Sequence, residues 1–219
     1  LGVPLAEFEA MFPLPEVRGP GGPVPDAAMM QPPVNSPEFK AWFGDSKVVD
    51  DSGRPLVAYH STAVWEKDGK KLGDIESFDR RASVTVVGRQ PSMDTVGSWF
   101  GVYDDVAKNA HAYGGSGGTV YPVFLSIKNP WKPKSFKEFI DKMHWAAGRE
   151  TPKEKPGLGH TVGLRSWLQK QGYDGIVFPK DSVDMPGQTV WVALESEQIK
   201  SVYNRGTFDP RDSRILYQG

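Results

Sequence analysis

The chain has 219 residues, 38% of them hydrophobic, and a net charge of −1, which suits one domain with or without a tail and does not imply a nucleic-acid partner. It has no cysteine, which excludes disulfide bonds and thiolate zinc sites, and its four histidines lack metal-ligand spacing, so we expect no metal. With no run long enough to span a membrane and no signal-peptide pattern, we expect a cytoplasmic protein, in the producing cell or in a target cell after delivery. Separately, we expect it to be a monomer.

Residues 1–35 are rich in proline and glycine, which disfavour both helix and sheet, so we expect a linker or tail there. Ser36 then has the features of a helix N-cap, because Pro37 follows at the first helical position and Gly44 ends the short helix. We therefore place the domain at residues 36–219.

A buried strand is predicted from Leu56, after a turn over residues 51–55, and it would form a hairpin with residues 47–50. The strand begins with apolar residues and continues into residues 60–62, which are His, Ser and Thr. Three polar side chains that close an apolar strand indicate a site, although a buried histidine is more often hydrogen bonded within the fold. The irregular stretch over residues 65–87 could form a lid beside that site.

The rest of the chain alternates between short strands and single helices. Strands are predicted over residues 97–102, 120–127, 176–178 and 189–194. Helices are predicted over residues 106–113, 136–143 and 162–168, the last two with core-facing sides. Because several strands lie too close together for crossovers, the pattern predicts an α+β domain with a mixed, largely antiparallel, split β-sheet and peripheral helices.

The order of these segments resembles the ADP-ribosyltransferase domains of large phage and mobile-element polyproteins. Those domains are distant relatives of diphtheria toxin and of the poly-ADP-ribose polymerases. The resemblance covers roughly residues 39–216, and six segments carry it, at residues 56–62, 97–101, 106–113, 120–127, 172–177 and 190–200. It implies a toxin-like or effector enzyme that transfers ADP-ribose from its substrate NAD to a macromolecular acceptor, more readily protein than nucleic acid, and releases nicotinamide.

The resemblance implies a role for the polar end of the first strand. In that family a strand-end histidine hydrogen-bonds the ribose next to adenine, and a nearby Thr or Ser assists it. His60 and Thr62 match these positions, and Ser61 lies between them. We therefore expect all three residues to bind the dinucleotide.

The resemblance also implies an aromatic platform for nicotinamide. The family places a stacking aromatic residue after a glycine, and here Gly97 and Ser98 precede Trp99 and Phe100, with Trp99 in the stacking position. The alternative for both rings is core packing, and one of them must take it because neighbouring residues of a strand face opposite ways. A second aromatic residue is expected on the following helix, at Tyr113 or, if the spacing is kept strictly, at His111.

The chain departs from the family pattern at the catalytic acid. Val190 stands where the family has a glutamate that bonds the nicotinamide-side ribose, and Gln188 stands where that glutamate has a polar partner. Gln188 can bond a hydroxyl but supplies no charge, so Asp184 is the nearest substitute, and Glu195 should face the other way. Either the acid is displaced, or the domain is a catalytically weak or silent nucleotide-binding or protein-interaction module. An NAD glycohydrolase is a further alternative.

Overall fold

The structure is a computed structural model of the whole chain. It describes residues 34–62, 65–67, 70–72, 77–78, 93–103, 119–148, 158–180, 182, 187–204 and 208–215. Nearly all of the predicted linker, most of the predicted lid and the helix predicted over residues 106–113 lie outside these ranges.

Three helices and nine strands make up the described part of the chain. The helices are α1 (Pro37–Phe43), α2 (Phe136–Ala146) and α3 (Leu158–Lys170). The strands are β1 (Ala58–Thr62), β2 (Trp65–Lys67), β3 (Lys70–Leu72), β4 (Ser98–Tyr103), β5 (Thr119–Leu125), β6 (Pro130–Trp131), β7 (Gly175–Phe178), β8 (Gln188–Ala193) and β9 (Ile199–Ser201). Short 3-10 turns, Met93–Val96 and Ser196–Gln198, precede β4 and β9.

Seven of these strands form one curled sheet in the order β6-β7-β8-β4-β1-β5-β9, while β2 and β3 form a separate hairpin. Within the sheet, β6 and β7 are parallel and the other neighbours are antiparallel. The predicted α+β class with a mixed, largely antiparallel sheet is therefore confirmed.

The sheet is split between β1 and β4. Five residues of β1 are paired with β5, and six residues of β4 are paired with β8. Between β1 and β4, the described residues form one registered pair, Tyr59 with Gly101. Each half of the sheet therefore has a continuous ladder, and the two halves part just beyond this pair.

Alternation along the strands gives the sheet two distinct faces. On what we call the helical face, Trp99, Phe178 and Val190 pack in one cluster with Phe139 of α2 and Leu164 of α3. On the opposite face, a second hydrophobic cluster combines strand residues with residues from segments outside the sheet. Its members include Phe78, Phe100, Val177, Trp191 and Ile215.

The local predictions hold at α1 and need correction elsewhere. The Ser36 hydroxyl accepts a hydrogen bond from the Phe39 amide, and Gly44 ends the helix with a φ of 53°. The hairpin predicted before β1 is present but short: Val49 and Pro55 form a bridge, and the Asp50 and Leu56 amides donate to the Arg54 and Val48 carbonyls. Val162, expected in the core, is 50% exposed, because the buried stripe of α3 runs along other positions. That stripe is formed by His160, Thr161, Leu164, Arg165 and Leu168.

Candidate active site

The imidazole of His60 lies at the point where β1 and β4 part. Its Nδ1 is 2.7 Å from the carbonyl oxygen of Trp99. A carbonyl can only accept, so Nδ1 donates its hydrogen, and in the neutral ring Nε2 is then an acceptor. No other hydrogen bond of this ring occurs within the described ranges, so Nε2 is an acceptor with no donor among those residues.

Aromatic rings surround His60 on the opposite face of the sheet. The ring centroid of Phe78 is 5.0 Å from that of His60, edge-on, and the centroid of Phe100 is 5.6 Å away. Phe78 also contacts Phe100 and, at 6.1 Å, Tyr121. Burial among these rings lowers the pKa of His60, against a smaller opposing effect of the hydrogen bond to Trp99. The ring is therefore neutral at pH 7.

Phe78 is held over His60 by contacts from the C-terminal part of the chain. The Ser196 hydroxyl donates to the Phe78 carbonyl at 2.7 Å, and Ser77 forms a β-bridge with Arg214. The buried Lys200 anchors the same segment, since its Nζ donates to the carbonyl of Asp212 at 2.6 Å and to that of Arg214 at 2.8 Å. Burial lowers the pKa of Lys200, while nearby carboxylates, Asp212 first, oppose the shift.

The strand residues predicted to bind NAD lie on both sides of the split. We call these two stretches its arms: residues 60–62 of β1 and residues 97–100 at the start of β4. Ser61 and Thr62 pair with β5 beyond the last residue that β1 shares with β4. Gly97 and Ser98 begin the facing arm, which is paired with β8 through Ser98 and Ala193. The structure thus brings residues 60–62 and residues 97–100 to one place, as two facing stretches of backbone with an imidazole between them.

Trp99 and Phe100 point to different faces of the sheet. The Trp99 ring lies on the helical face, stacked on Phe178 at a centroid distance of 5.6 Å and edge-on to Phe139 at 5.8 Å. Its indole N–H is buried and has no acceptor among the described residues. Phe100 lies on the face of His60 and is 1% exposed. Of the two predicted aromatic residues, Phe100 is therefore the one in ring contact with His60, and its ring is already packed.

The two strand positions considered for the acid are both buried on the helical face. Gln188 is fully buried, and Val190 is 5% exposed, with Gly101 and Phe178 opposite it in the neighbouring strands. Asp184, Tyr113 and His111 fall outside the described residues, so their predicted roles remain predictions. The described strands thus present no carboxylate at the Val190 position or at its polar neighbour.

Two residues of the segments that carried the resemblance are structural. The carboxylate of Asp174 accepts from the backbone amides of Lys128 and Asn129, at 2.7 and 2.8 Å. The amide of Gln198 joins three parts of the fold through four hydrogen bonds. It accepts from the Leu194 and Glu195 amides and donates to the Ser126 and Asp174 carbonyls.

Sequence reasoning missed Arg165, whose guanidinium is buried against the start of β4 and the end of β8. The sequence gives only a weak signal for it: an arginine stands next to Leu164, but it is not among the residues predicted to face the core. Buried arginines are rare unless they are paired, and the partners of Arg165 are distant in sequence, so its burial is seen only in the structure.

A family comparison decides what this arrangement belongs to. The sequence model of the family described as "ADP-Ribosyltransferase in polyvalent proteins" matches residues 50–208, which include both arms of the split. The chain belongs to this ADP-ribosyltransferase family. No curated protein and no solved structure matches the chain significantly.

The fold of this ADP-ribosyltransferase domain agrees with its family, since a split, largely antiparallel sheet with peripheral helices is what the resemblance implied. Within the described residues there is no helix long and apolar enough to cross a membrane. The same part of the chain contains no cluster of three or more side chains suited to hold a metal ion.

Proposed function

We propose that this ADP-ribosyltransferase domain uses NAD as substrate and transfers a single ADP-ribose to a macromolecular acceptor, with protein preferred over nucleic acid. The observation that carries the proposal is the His60 ring, which is neutral, packed among aromatic rings and left with an acceptor nitrogen that has no donor among the described residues. A ribose hydroxyl is a matching donor for that nitrogen. The cytoplasm, of the producing cell or of a target cell, would supply the NAD.

The two arms of the split offer further groups for the same ligand. Beyond Tyr59 and Gly101 the strands share no registered pair, so backbone N–H and C=O groups that point into the gap lack a ladder partner across it. A carboxamide such as that of nicotinamide needs one donor and one acceptor. Residues 61–62 and 97–98 would supply them from backbone.

The proposed reaction exchanges one bond at the ribose carbon. The glycosidic C–N bond breaks and its electron pair stays with nicotinamide, which leaves as a neutral molecule because its ring nitrogen was cationic. A nucleophilic atom of the acceptor forms the new bond and gives up one proton to solvent or to a base. The ribose carbon carries positive charge on the way, so a nearby carboxylate would accelerate the step. We propose Asp184 for that carboxylate, with Gln188 as its polar neighbour in sequence.

A second candidate function is a silent nucleotide-binding or interaction module. The burial of Val190 and Gln188 favours it, because no charged group stands at either position and neither side chain reaches solvent. A nucleotide-binding module would share the binding of NAD and differ only in turnover, whereas a pure interaction module would neither bind NAD nor turn it over.

The test is to incubate the domain and cell lysate with NAD labelled in its adenylate part, and to follow the label and the nicotinamide released. Label that is lost on protease but not on nuclease digestion supports transfer to protein. Free labelled ADP-ribose without labelled macromolecule would indicate a glycohydrolase, and calorimetric binding without nicotinamide release would indicate the silent module. Asp184→Asn should stop nicotinamide release, whereas Arg54→Met, an exposed arginine paired with Asp50, serves as the control.

A further inference from the structure

A buried arginine of α3 joins the ends of β4 and β8. Arg165 is 7% exposed, and its Nη1 donates to the carbonyl of Val96 at 2.8 Å and to that of Leu194 at 2.7 Å. Its Nη2 donates to Oε1 of Glu195 at 2.6 Å. One guanidinium therefore binds the residue before Gly97, the residue after Ala193 and a carboxylate.

These contacts extend the ladder between the two strands by one rung. The last registered pair is Ser98 with Ala193, and beyond it the chains stay close, because a Cβ on Gly97 would lie 2.4 Å from the Ala193 carbonyl oxygen. Only glycine allows this approach. The guanidinium closes the ladder where backbone pairing stops, and a hydrogen bond between Thr95 and Thr161 ties the same turn to α3.

The arm that Arg165 holds is the one that fixes His60. On one side this arm of β4 is held by β8 and, through Val96, by Arg165. On its other side the carbonyl of Trp99, three residues after Val96, accepts the hydrogen bond of His60 Nδ1. A displacement at Val96 would therefore move the acceptor that sets the orientation and tautomer of the imidazole.

The partners of Arg165 match both its charge and its hydrogen-bond donors. A buried guanidinium is costly unless its hydrogen bonds and its charge are matched, and here two carbonyls and one carboxylate match them. The Glu195 side chain is 53% exposed, whereas that of Arg165 is buried. Glu195 therefore supplies its negative charge from the surface to a guanidinium that lies beneath it. An aliphatic residue at position 165 would fill the space and leave both carbonyls without their donor.

We propose that Arg165 and Glu195 are positioning residues for the transfer reaction: together they place the β4 arm of the split and, through Trp99, the imidazole that binds the ribose. The inference rests on the proposed function for its catalytic consequence. Its structural consequence, a changed environment of His60, is independent of turnover.

The test compares Arg165→Lys, Arg165→Met and Glu195→Gln with the matched control Arg54→Met, whose arginine is also paired but is 76% exposed. Each protein is titrated by NMR on its histidine ring protons, with His60 assigned by the signal that disappears in His60→Gln.

In the Arg165 variants we expect the titration midpoint of His60 to move up towards its ordinary value and its Nδ1–H signal to weaken, because a looser arm admits water. We expect kcat/KM for NAD to fall about 10- to 100-fold, mostly through KM, the scale of a small misplacement of binding groups. Glu195→Gln should show the same effects in weaker form, and Arg54→Met should match the wild type.

Arg165→Lys and Glu195→Gln keep the proposal falsifiable if Arg165→Met does not fold. Folded variants in which His60 titrates as in the wild type and NAD affinity is unchanged would overturn it and leave Arg165 a stabilising residue only. If the wild type neither binds nor cleaves NAD, the proposed function fails. The His60 titration still decides whether Arg165 sets the arm.

Discussion

His60 and Trp99 are linked through the backbone of Trp99, while the Trp99 ring points away from His60. The carbonyl of Trp99 accepts the hydrogen bond from His60 Nδ1, and the indole stacks on Phe178 on the helical face. One residue thus orients the imidazole with its main chain and joins the two layers of the fold with its side chain. The hydrogen bond between His60 and the Trp99 carbonyl lies at the split in the sheet.

His60→Ala should weaken NAD binding by about 1–3 kcal/mol, because the ribose hydroxyl and the Trp99 carbonyl both lose their partner. His60→Asn is the informative companion, since its amide can still donate to the Trp99 carbonyl but has no group at the place of Nε2. We expect Asn to recover part of the lost stability and none of the lost affinity. Calorimetric titration with NAD and urea unfolding measure the two quantities, and wild-type affinity in His60→Asn would remove Nε2 from the site.

The lowered pKa of His60 predicts how stability depends on pH. The unfolded chain takes up a proton at this residue near pH 6.5, whereas the folded protein does so only at lower pH. Stability from the neutral ring is therefore complete above about pH 6.5, falls as pH drops below that value, and levels off once the folded ring is protonated. Unfolding at pH 7.5 and 5.5 should show a larger loss in the wild type than in His60→Gln. Equal losses in the two proteins would contradict the prediction.

The sequence predicted the sheet and its split better than it predicted the site. Alternation and turn residues located β1, β4, β5, β7 and β8 to within a few residues, because strand patterns are local. The order of segments gave the family, and the family model confirms it.

Which side chains meet at the split could not be obtained in this way. Whether Trp99 or Phe100 shares a face with His60 depends on the register between β1 and β4, which only the fold sets. The structural roles of Asp174 and Gln198 were hidden for a related reason. Their partners are backbone groups of segments distant in sequence, and spacing along the chain does not reveal such contacts.

Trp99→Phe tests whether the indole serves the core or the ligand. Phenylalanine keeps a ring on Phe178 and removes the buried N–H that lacks an acceptor, so we expect the free energy of unfolding to change by no more than about 1 kcal/mol. Trp99→Ala should cost about 3–5 kcal/mol. NAD affinity should survive the change to Phe. Preserved stability with most of the affinity lost would instead support the stacking role that the resemblance implied.

Gln198→Ala should destabilise the fold without changing the rate of NAD turnover. Its amide ties the end of β8 to the end of β5 and to the turn at Asp174, so removing it leaves partly buried groups without partners, at a cost of about 1–3 kcal/mol. Gln169→Ala, an exposed glutamine on α3, is the matched control and should leave stability unchanged. NAD turnover per folded molecule should be the same in both variants. A turnover defect in a fully folded Gln198→Ala would assign this residue to the site.

Val190→Glu places a carboxylate at the position where the family has one. We expect this substitution to destabilise the fold, because Val190 is buried. Val190 is buried between Gly101 and Phe178 in the hydrophobic cluster that holds α2 and α3 to the sheet. Burying an unpaired carboxylate there should lower the free energy of unfolding by about 3 kcal/mol or more. Val190→Thr, which keeps the shape and adds only a hydroxyl, should cost less.

Urea unfolding of the wild type and of both Val190 variants measures these stability costs. Nicotinamide release from Asp184→Asn is measured alongside. A stable Val190→Glu that releases nicotinamide faster than the wild type would mean that this position opens towards the substrate. An unstable Val190→Glu alongside an inactive but folded Asp184→Asn would assign the acid to residue 184.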